Sequence, residues 1–231
     1  MIDMIAFDAD DTLWHNEVHY QEAQSKLVQI LSPWGDPGEV RDKLHEVEMR
    51  NLALYGYGVK AFLLSMIETG NLLSDGEIFG AKISEILSIG RQMLEAQVTL
   101  LPHVRQTLDL LSKSHRLMVI TKGDPIDQNN KITRSGLAHY FNFVEVIGRK
   151  TQEIYRIIFE KFQLDPKAFL MVGNSLRSDI LPVLELGGKA VYIPAETTWA
   201  HEMIYHFDPA QEGFYQLEDI SRLPNLIDQL S

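Results

Sequence analysis

The sequence predicts an α/β fold, in which a doubly wound, mostly parallel sheet is covered by helices and carries an inserted all-helical domain. From Leu101 onward, short apolar runs alternate with segments of helical period, which is typical of a parallel sheet. Between Trp14 and Val98 the apolar residues recur at helical spacing, and we find no convincing strand. We therefore assign residues 1–15 and 99–231 to the α/β core and residues 16–98 to the helical insert.

The composition is that of a globular chain, long enough for one large domain or two smaller ones. It has 231 residues, 45% of them hydrophobic, and its formal net charge of -11 argues against a general affinity for nucleic acids. The absence of cysteine excludes disulfides, thiol nucleophiles and zinc–thiolate sites. We see no signal peptide and no apolar run of about 18 residues, so we expect a cytoplasmic protein without a membrane segment.

The first strand is expected at Met4–Phe7, a short apolar run that ends in Asp8, Asp10 and Asp11. A strand interior would not tolerate so many carboxylates, but ligands of open α/β sheets bind beyond the carboxyl ends of the strands. If the extended geometry persists, Asp8 and Asp10 lean to the same side, where one can attack and the other can move a proton. Aspartate is also common in turns, so a mere turn-capping role is the alternative.

The insert is predicted to contain only helices. Helical period covers residues 17–31, 39–54 and 59–68. Gly70 and Asn71 should close the third of these helices. Ser74, with Glu77 three residues later, forms a capping-box pattern that predicts the start of a fourth helix, and a further helical piece runs to about residue 98.

The second half of the chain is predicted to alternate strands and helices. Strands are expected at residues 117–120, 143–147, 169–172, 190–193 and 214–217. Helices are expected at residues 102–112, 125–135, 151–162, 178–186 and 223–230. Thr151 is the predicted N-cap of its helix, and Gly136 and Gly187 follow the ends of two others.

The ends of these strands carry complementary chemistry. Besides the acids of the first strand, the polar residues at strand ends are Thr121, Lys122, Arg149, Lys150, Asn174, Ser175 and Asp179. In a parallel sheet all of them meet at one edge. Acids and amides suit a hard cation such as Mg²⁺, and a hydroxyl and an ammonium group suit phosphoryl oxygens.

In this order the motifs resemble those of the haloacid dehalogenase superfamily of phosphatases and phosphotransferases. The family's Asp-x-Asp-x-Thr motif matches Asp8-Ala9-Asp10-Asp11-Thr12. Its strand-ending Ser or Thr matches Thr121, and its Lys near a helix start matches Lys150. Its Gly-Asp-x-x-x-x-Asp motif matches residues 173–179 with one substitution. The resemblance implies a Rossmann-like core, and the insert looks like the family's type-one cap.

The resemblance also implies a magnesium-dependent phosphatase. Asp8 would attack phosphorus and become an aspartyl-phosphate, while Asp10 would protonate the leaving alcohol and then activate water. Lys150 and Thr121 would balance the phosphoryl charge, and Lys150 should also keep Asp8 ionised. The expected metal ligands are Asp8, Asp10 through its carbonyl, Asn174 and Asp179. The expected substrate contacts are Thr12, Lys122 and Gly123.

Two departures from the family pattern are visible. Asn174 stands where the family usually has Asp, which removes one negative charge from the predicted metal site. Lys122 stands where Asn is frequent, and it either adds positive charge near the phosphate or, as we expect, points to solvent.

The general acid Asp10 argues against a dehalogenase, since no halide leaving group needs a proton. The alternatives are a phosphomutase or dehalogenase of the same superfamily, or a catalytically diverged phospho-acceptor or binding protein. The expected partner is a small phosphorylated metabolite, with neither nucleic acid nor membrane, and the protein is expected to be a monomer or a homodimer.

Overall fold

The computed structural model describes residues 2–195, 202, 204 and 206–230. The chain divides into two compact units. The first unit comprises Met1–Glu17, Val98–Lys122 and Gln128–Ser231, and the second comprises Val18–Gln97 and Gly123–Asp127.

The first unit is built on a six-stranded parallel sheet, which confirms the predicted fold class. The strands are β1 (Met4–Phe7), β2 (Arg116–Lys122), β3 (Phe143–Ile147), β4 (Phe169–Gly173), β5 (Lys189–Tyr192) and β6 (Phe214–Gln216). Their order across the sheet is β3-β2-β1-β4-β5-β6, and every neighbouring pair is parallel. The first strand therefore lies at the centre, between β2 and β4, where the strand order reverses.

Both faces of the sheet are covered, as the continuous apolar runs of the strands require. Ile5 and Phe7 pack into a core on one face, whereas Met4 and Ala6 pack into a second core on the other. The α-helices described in the second half of the chain are α5 (Val104–Leu111), which precedes β2, and α6 (Pro125–Arg134), α7 (Gln152–Phe162), α8 (Leu181–Leu184) and α9 (Leu223–Leu230). A π-helical turn at Leu176–Ile180 precedes α8, where the sequence predicted one regular helix over 178–186.

The second unit is helical, and its four helices bury a core of their own. The helices are α1 (Glu17–Leu31), α2 (Pro37–Tyr55), α3 (Val59–Leu73) and α4 (Gly80–Glu95). Their shared core contains Leu27, Leu44, Phe62, Met66 and Ile86, among other residues. None of the helices among the described residues has the length and apolar character that crossing a membrane requires.

Two boundaries predicted for the insert are wrong. The third helix does not end at Gly70 but continues to Leu73, and Ser74 is its C-cap instead of the N-cap of the next helix. The Ser74 hydroxyl accepts a hydrogen bond from the Ile78 amide, so its capping capacity is used in the connecting turn, and α4 begins only at Gly80. The capping-box spacing of Ser74 and Glu77 is therefore present in the sequence, but no helix begins there.

Candidate active site

The Asp8 side chain lies directly beyond the carboxyl end of β1, in contact with Lys150. Lys150 follows β3, and the Thr151 N-cap behind it starts α7. The Lys150 ammonium donates to Asp8 Oδ1 and lies 2.5 Å from Asp179 Oδ1. All three side chains are at least nine-tenths buried. One lysine thus bridges two carboxylates that come from different strands.

Burial and charge act in opposite directions on this cluster. The pKa of Asp8 is raised to about 7: burial raises it most, Lys150 lowers it, and the nearby Asp179 raises it again. Burial alone would lower the pKa of Lys150, but Asp179 and Asp8 together raise it well above its usual range. The predicted contact between Lys150 and Asp8 is therefore present. Without a bound metal, however, burial raises the pKa of Asp8 by more than Lys150 lowers it.

Oxygen atoms converge beside this ion pair. Thr12 Oγ1 lies 3.3 Å from Asp8 Oδ2 and 3.3 Å from Asn174 Oδ1, so these two oxygens face the same hydroxyl. A Cβ atom at Gly173 would lie only 2.3 Å from Asp179 Oδ2, which explains why glycine ends β4. Carboxylate, amide and hydroxyl oxygens without nitrogen or sulfur are the donors that fit Mg²⁺.

The Asp10 carboxylate lies in a second, separate set of donors. Lys131 Nζ lies 2.7 Å from Oδ1 and 2.8 Å from Oδ2, and Trp14 Nε1 donates to Oδ1 at 2.7 Å. Gln128 Nε2 donates to Oδ2 at 2.8 Å. Burial would raise the pKa of Asp10, but Lys131, Gln128 and Trp14 together hold it below its usual range. These donors therefore favour the carboxylate form of Asp10.

The end of β2 carries three further predicted residues. Thr121 is buried, and its hydroxyl accepts a hydrogen bond of 3.1 Å from Gln128 Nε2. Gly123 adopts φ 137°, a conformation that favours glycine, and it belongs to the second unit.

The prediction that Lys122 points to solvent is wrong. Its ammonium donates to Ser178 Oγ at 2.9 Å and forms an ion pair with Glu202, leaving the side chain 16% exposed. Burial would raise the pKa of Glu202, but Lys122 and the hydroxyls of Ser175 and Ser178 lower it to about 2. The carboxylate partner comes from 80 residues further along the chain, which is why the sequence did not reveal it.

Sequence reasoning missed the role of Asp11 and of two residues on α6. Asp11 has φ 59° and accepts hydrogen bonds from the amides of Asn16 and Glu17, so it caps the start of α1. Lys131 and Gln128 lie three residues apart on α6, a helix that the sequence predicted but in which it indicated no site residue. Their spacing on one helical face was the available signal.

Comparisons with known proteins identify the family. A model described as haloacid dehalogenase-like hydrolase matches residues 2–187. A glyceraldehyde 3-phosphate phosphatase from Methanothermobacter thermautotrophicus is 24% identical over 98% of this chain and 100% of its own length. One from Pyrococcus furiosus is 33% identical over 83% of this chain and 80% of its own length.

A solved structure agrees with these sequence matches. The crystal structure of a haloacid dehalogenase-like family hydrolase from Xanthomonas campestris superposes with a TM-score of 0.88 at 34% identity. The match covers 99% of this chain and 91% of that one. The geometry and the comparisons agree with the sequence motifs, and the chain belongs to the haloacid dehalogenase-like hydrolases.

Proposed function

We propose that this hydrolase is a magnesium-dependent phosphatase that cleaves a small phosphorylated metabolite through an aspartyl-phosphate on Asp8. The observation that carries this proposal is the placement of Asp8 against Lys150 and Thr12 at the end of the central strand. A buried carboxylate beside a fixed ammonium and a hydroxyl supplies a nucleophile together with groups that can neutralise phosphoryl oxygens.

The chemistry divides between the two neighbouring acids. An Asp8 oxygen attacks phosphorus, the bond to the leaving oxygen breaks, and Asp10 gives the leaving alcohol a proton that it has first taken up from solvent or from the water of the previous turnover. Water then attacks the aspartyl-phosphate and passes a proton to Asp10, which frees Asp8. The fixed carboxylate form of Asp10 suits the second step, because a base must be ionised to accept a proton.

The residues around Asp8 fit the metal that this reaction needs. Asp8, Asn174, Asp179 and the carbonyl of Asp10 would hold Mg²⁺, and Asp8 Oδ2 and Asn174 Oδ1 already converge on Thr12. When bound, Mg²⁺ would neutralise phosphoryl charge and favour the ionised form of Asp8. Thr121 and Lys150 would contact the phosphoryl oxygens.

The substrate is proposed only as a chemical class. Both curated relatives described above are named as phosphatases of a three-carbon sugar phosphate, so glyceraldehyde 3-phosphate is the first metabolite to test. Contacts of Thr12, Lys122 and Gly123 with the substrate, the capping role of the helical insert and the cytoplasmic location stay predictions. Lys122 would have to leave Glu202 to reach a phosphate.

The deciding experiment is hydrolysis of p-nitrophenyl phosphate with and without Mg²⁺ by the wild type and by Asp8→Asn. We expect metal-dependent turnover that falls by about 1,000-fold or more in the variant, because the nucleophile is lost. Asp3→Asn, at an exposed aspartate, is the matched control and should retain full activity. An aspartyl-phosphate that persists without turnover would instead support a phospho-acceptor.

A further inference from the structure

The Asp10 carboxylate is held from three sides. The lysine Nζ contacts both of its oxygens, the indole of Trp14 donates to Oδ1, and the amide of Gln128 donates to Oδ2. These donors come from the turn after β1 and from α6. Because each oxygen has two donors, the carboxylate cannot turn without breaking a charge-assisted hydrogen bond.

The donors on α6 are themselves fixed. Lys131 Nζ lies 3.2 Å from Asn16 Oδ1, and its side chain is only 13% exposed. Gln128 is buried, and its Nε2 also lies 3.1 Å from Thr121 Oγ1 and 2.5 Å from the Lys122 carbonyl oxygen. The orientation of Asp10 is thus tied to the end of β2, where Thr121 stands.

The same amide leaves an acceptor open. Gln128 Oε1 is buried and has no hydrogen-bond partner within the part of the chain that the structure describes. Leaving a buried acceptor unsatisfied costs free energy, so the site suits a group that can donate a hydrogen bond.

We propose that Lys131 is a positioning residue for hydrolysis of the phosphoryl-enzyme, holding the Asp10 carboxylate where it accepts a proton from the attacking water. This inference rests on the proposed phosphatase function. In the step, the water oxygen bonds to phosphorus and the bond between phosphorus and the Asp8 oxygen breaks, with its electron pair returning to Asp8. One water proton passes to Asp10, and the products are inorganic phosphate and the free Asp8 carboxylate.

The test uses p-nitrophenyl phosphate at saturating Mg²⁺, because p-nitrophenolate departs without a proton and confines the work of Asp10 to the water step. We expect Lys131→Met to lower kcat by about 10- to 100-fold, part of what general base catalysis contributes, with a parallel fall in KM that leaves kcat/KM unchanged, because formation of the phosphoryl-enzyme is not slowed. The variant should release a burst of p-nitrophenolate that approaches one per enzyme, since the phosphoryl-enzyme accumulates. Lys131→Arg should recover most of the rate.

The matched control is Lys161→Met, which removes an exposed lysine that pairs with Glu145 at 2.7 Å, away from Asp10. It should leave kcat and the burst unchanged. In an Asp10→Asn background, Lys131→Met should add no further loss, because the group it positions has gone.

Asn16→Ala supplies a second test if Lys131→Met does not fold, since it removes only the third contact of Lys131. It should give a smaller fall in kcat with a detectable burst. If the wild type turns over and neither variant differs from Lys161→Met, or if the losses at Lys131 and Asp10 simply multiply, the inference fails and the phosphatase stands. A wild type that shows no turnover with any metal overturns both.

Discussion

Two carboxylates that follow the same strand lie in opposite electrostatic environments. Burial raises the pKa of Asp8 to about 7 against the pull of Lys150. The pKa of Asp10 lies below its usual range, because Lys131, Gln128 and Trp14 outweigh its burial. Their separation is only two residues, so the difference comes from the partners that other elements bring to each acid.

The two lysines differ in the number of carboxylates that each one contacts. Lys150 is shared between Asp8 and Asp179, both of them carboxylates and both buried. The contacts of Lys131 are with one carboxylate, Asp10, and the neutral amide of Asn16. Neighbouring acids whose environments push their pKa values apart can take different roles, here nucleophile and proton carrier.

The largest expected effect comes from removing the shared cation. Lys150→Met would leave Asp8 and Asp179 as two buried carboxylates without their counter-charge. We expect the free energy of unfolding in the absence of metal to fall by about 3–5 kcal/mol at pH 7, the usual cost of breaking a buried ion pair. Urea denaturation of the variant and the wild type measures this loss, and turnover should be abolished.

The loss of stability in Lys150→Met is to be compared with that in Lys131→Met. Because Lys131 and Asp10 are 13% and 22% exposed, its removal should cost less stability than removal of Lys150, whose side chain is fully buried. Equal losses in the two variants would show that burial does not distinguish the two ion pairs.

The sequence predicted the parts of the fold that depend on local pattern. The apolar run at Met4–Phe7 and the Thr151 cap were both visible because strand burial and helix capping are encoded by neighbouring residues. The pattern Asp36-Pro37-Gly38-Glu39 also carried a capping box, which we did not use and which starts α2 two residues earlier than expected.

The environment of Asp10 could not be obtained in the same way. Lys131 lies 121 residues from Asp10, on a helix whose polar sequence equally suits a solvated face. Which side chains of α6 reach Asp10 depends on how this helix packs in the folded protein. Local propensity does not encode that packing. The same reason applies to Lys122, whose partner Glu202 lies in a segment with no regular pattern.

The next effect tests the departure from the family motif. Asn174→Asp adds a carboxylate beside Asp8, so the metal site gains a negative charge. We expect the Mg²⁺ concentration at half-maximal activity to fall by about tenfold, since affinity for hard cations rises with ligand charge. Asn71→Asp, at an exposed position of α3, is the control for a change in net charge alone. Equal Mg²⁺ concentrations at half-maximal activity in Asn174→Asp and the wild type would show that Asn174 is not a metal ligand.

The smallest effect concerns a third acid, Glu17 at the start of α1. Burial and the neighbouring Asp11 raise its pKa from 4.5 to about 7. Below pH 4.5 the side chain is protonated in the folded and unfolded chains alike, so it contributes no difference. As the pH rises toward 7 the unfolded chain releases the proton first, and the folded state loses relative stability, fully so above pH 7.

Glu17→Gln should therefore raise the free energy of unfolding at pH 8, by about 1 kcal/mol once solvent screening of this half-buried group is allowed for. At pH 4 the variant and the wild type should be equally stable. Urea denaturation at both values measures the difference, with Glu22→Gln, an exposed glutamate of the same helix, as the control. A gain of the same size at pH 4 would mean that packing, and not the burial of an unpaired charge, accounts for the greater stability of Glu17→Gln.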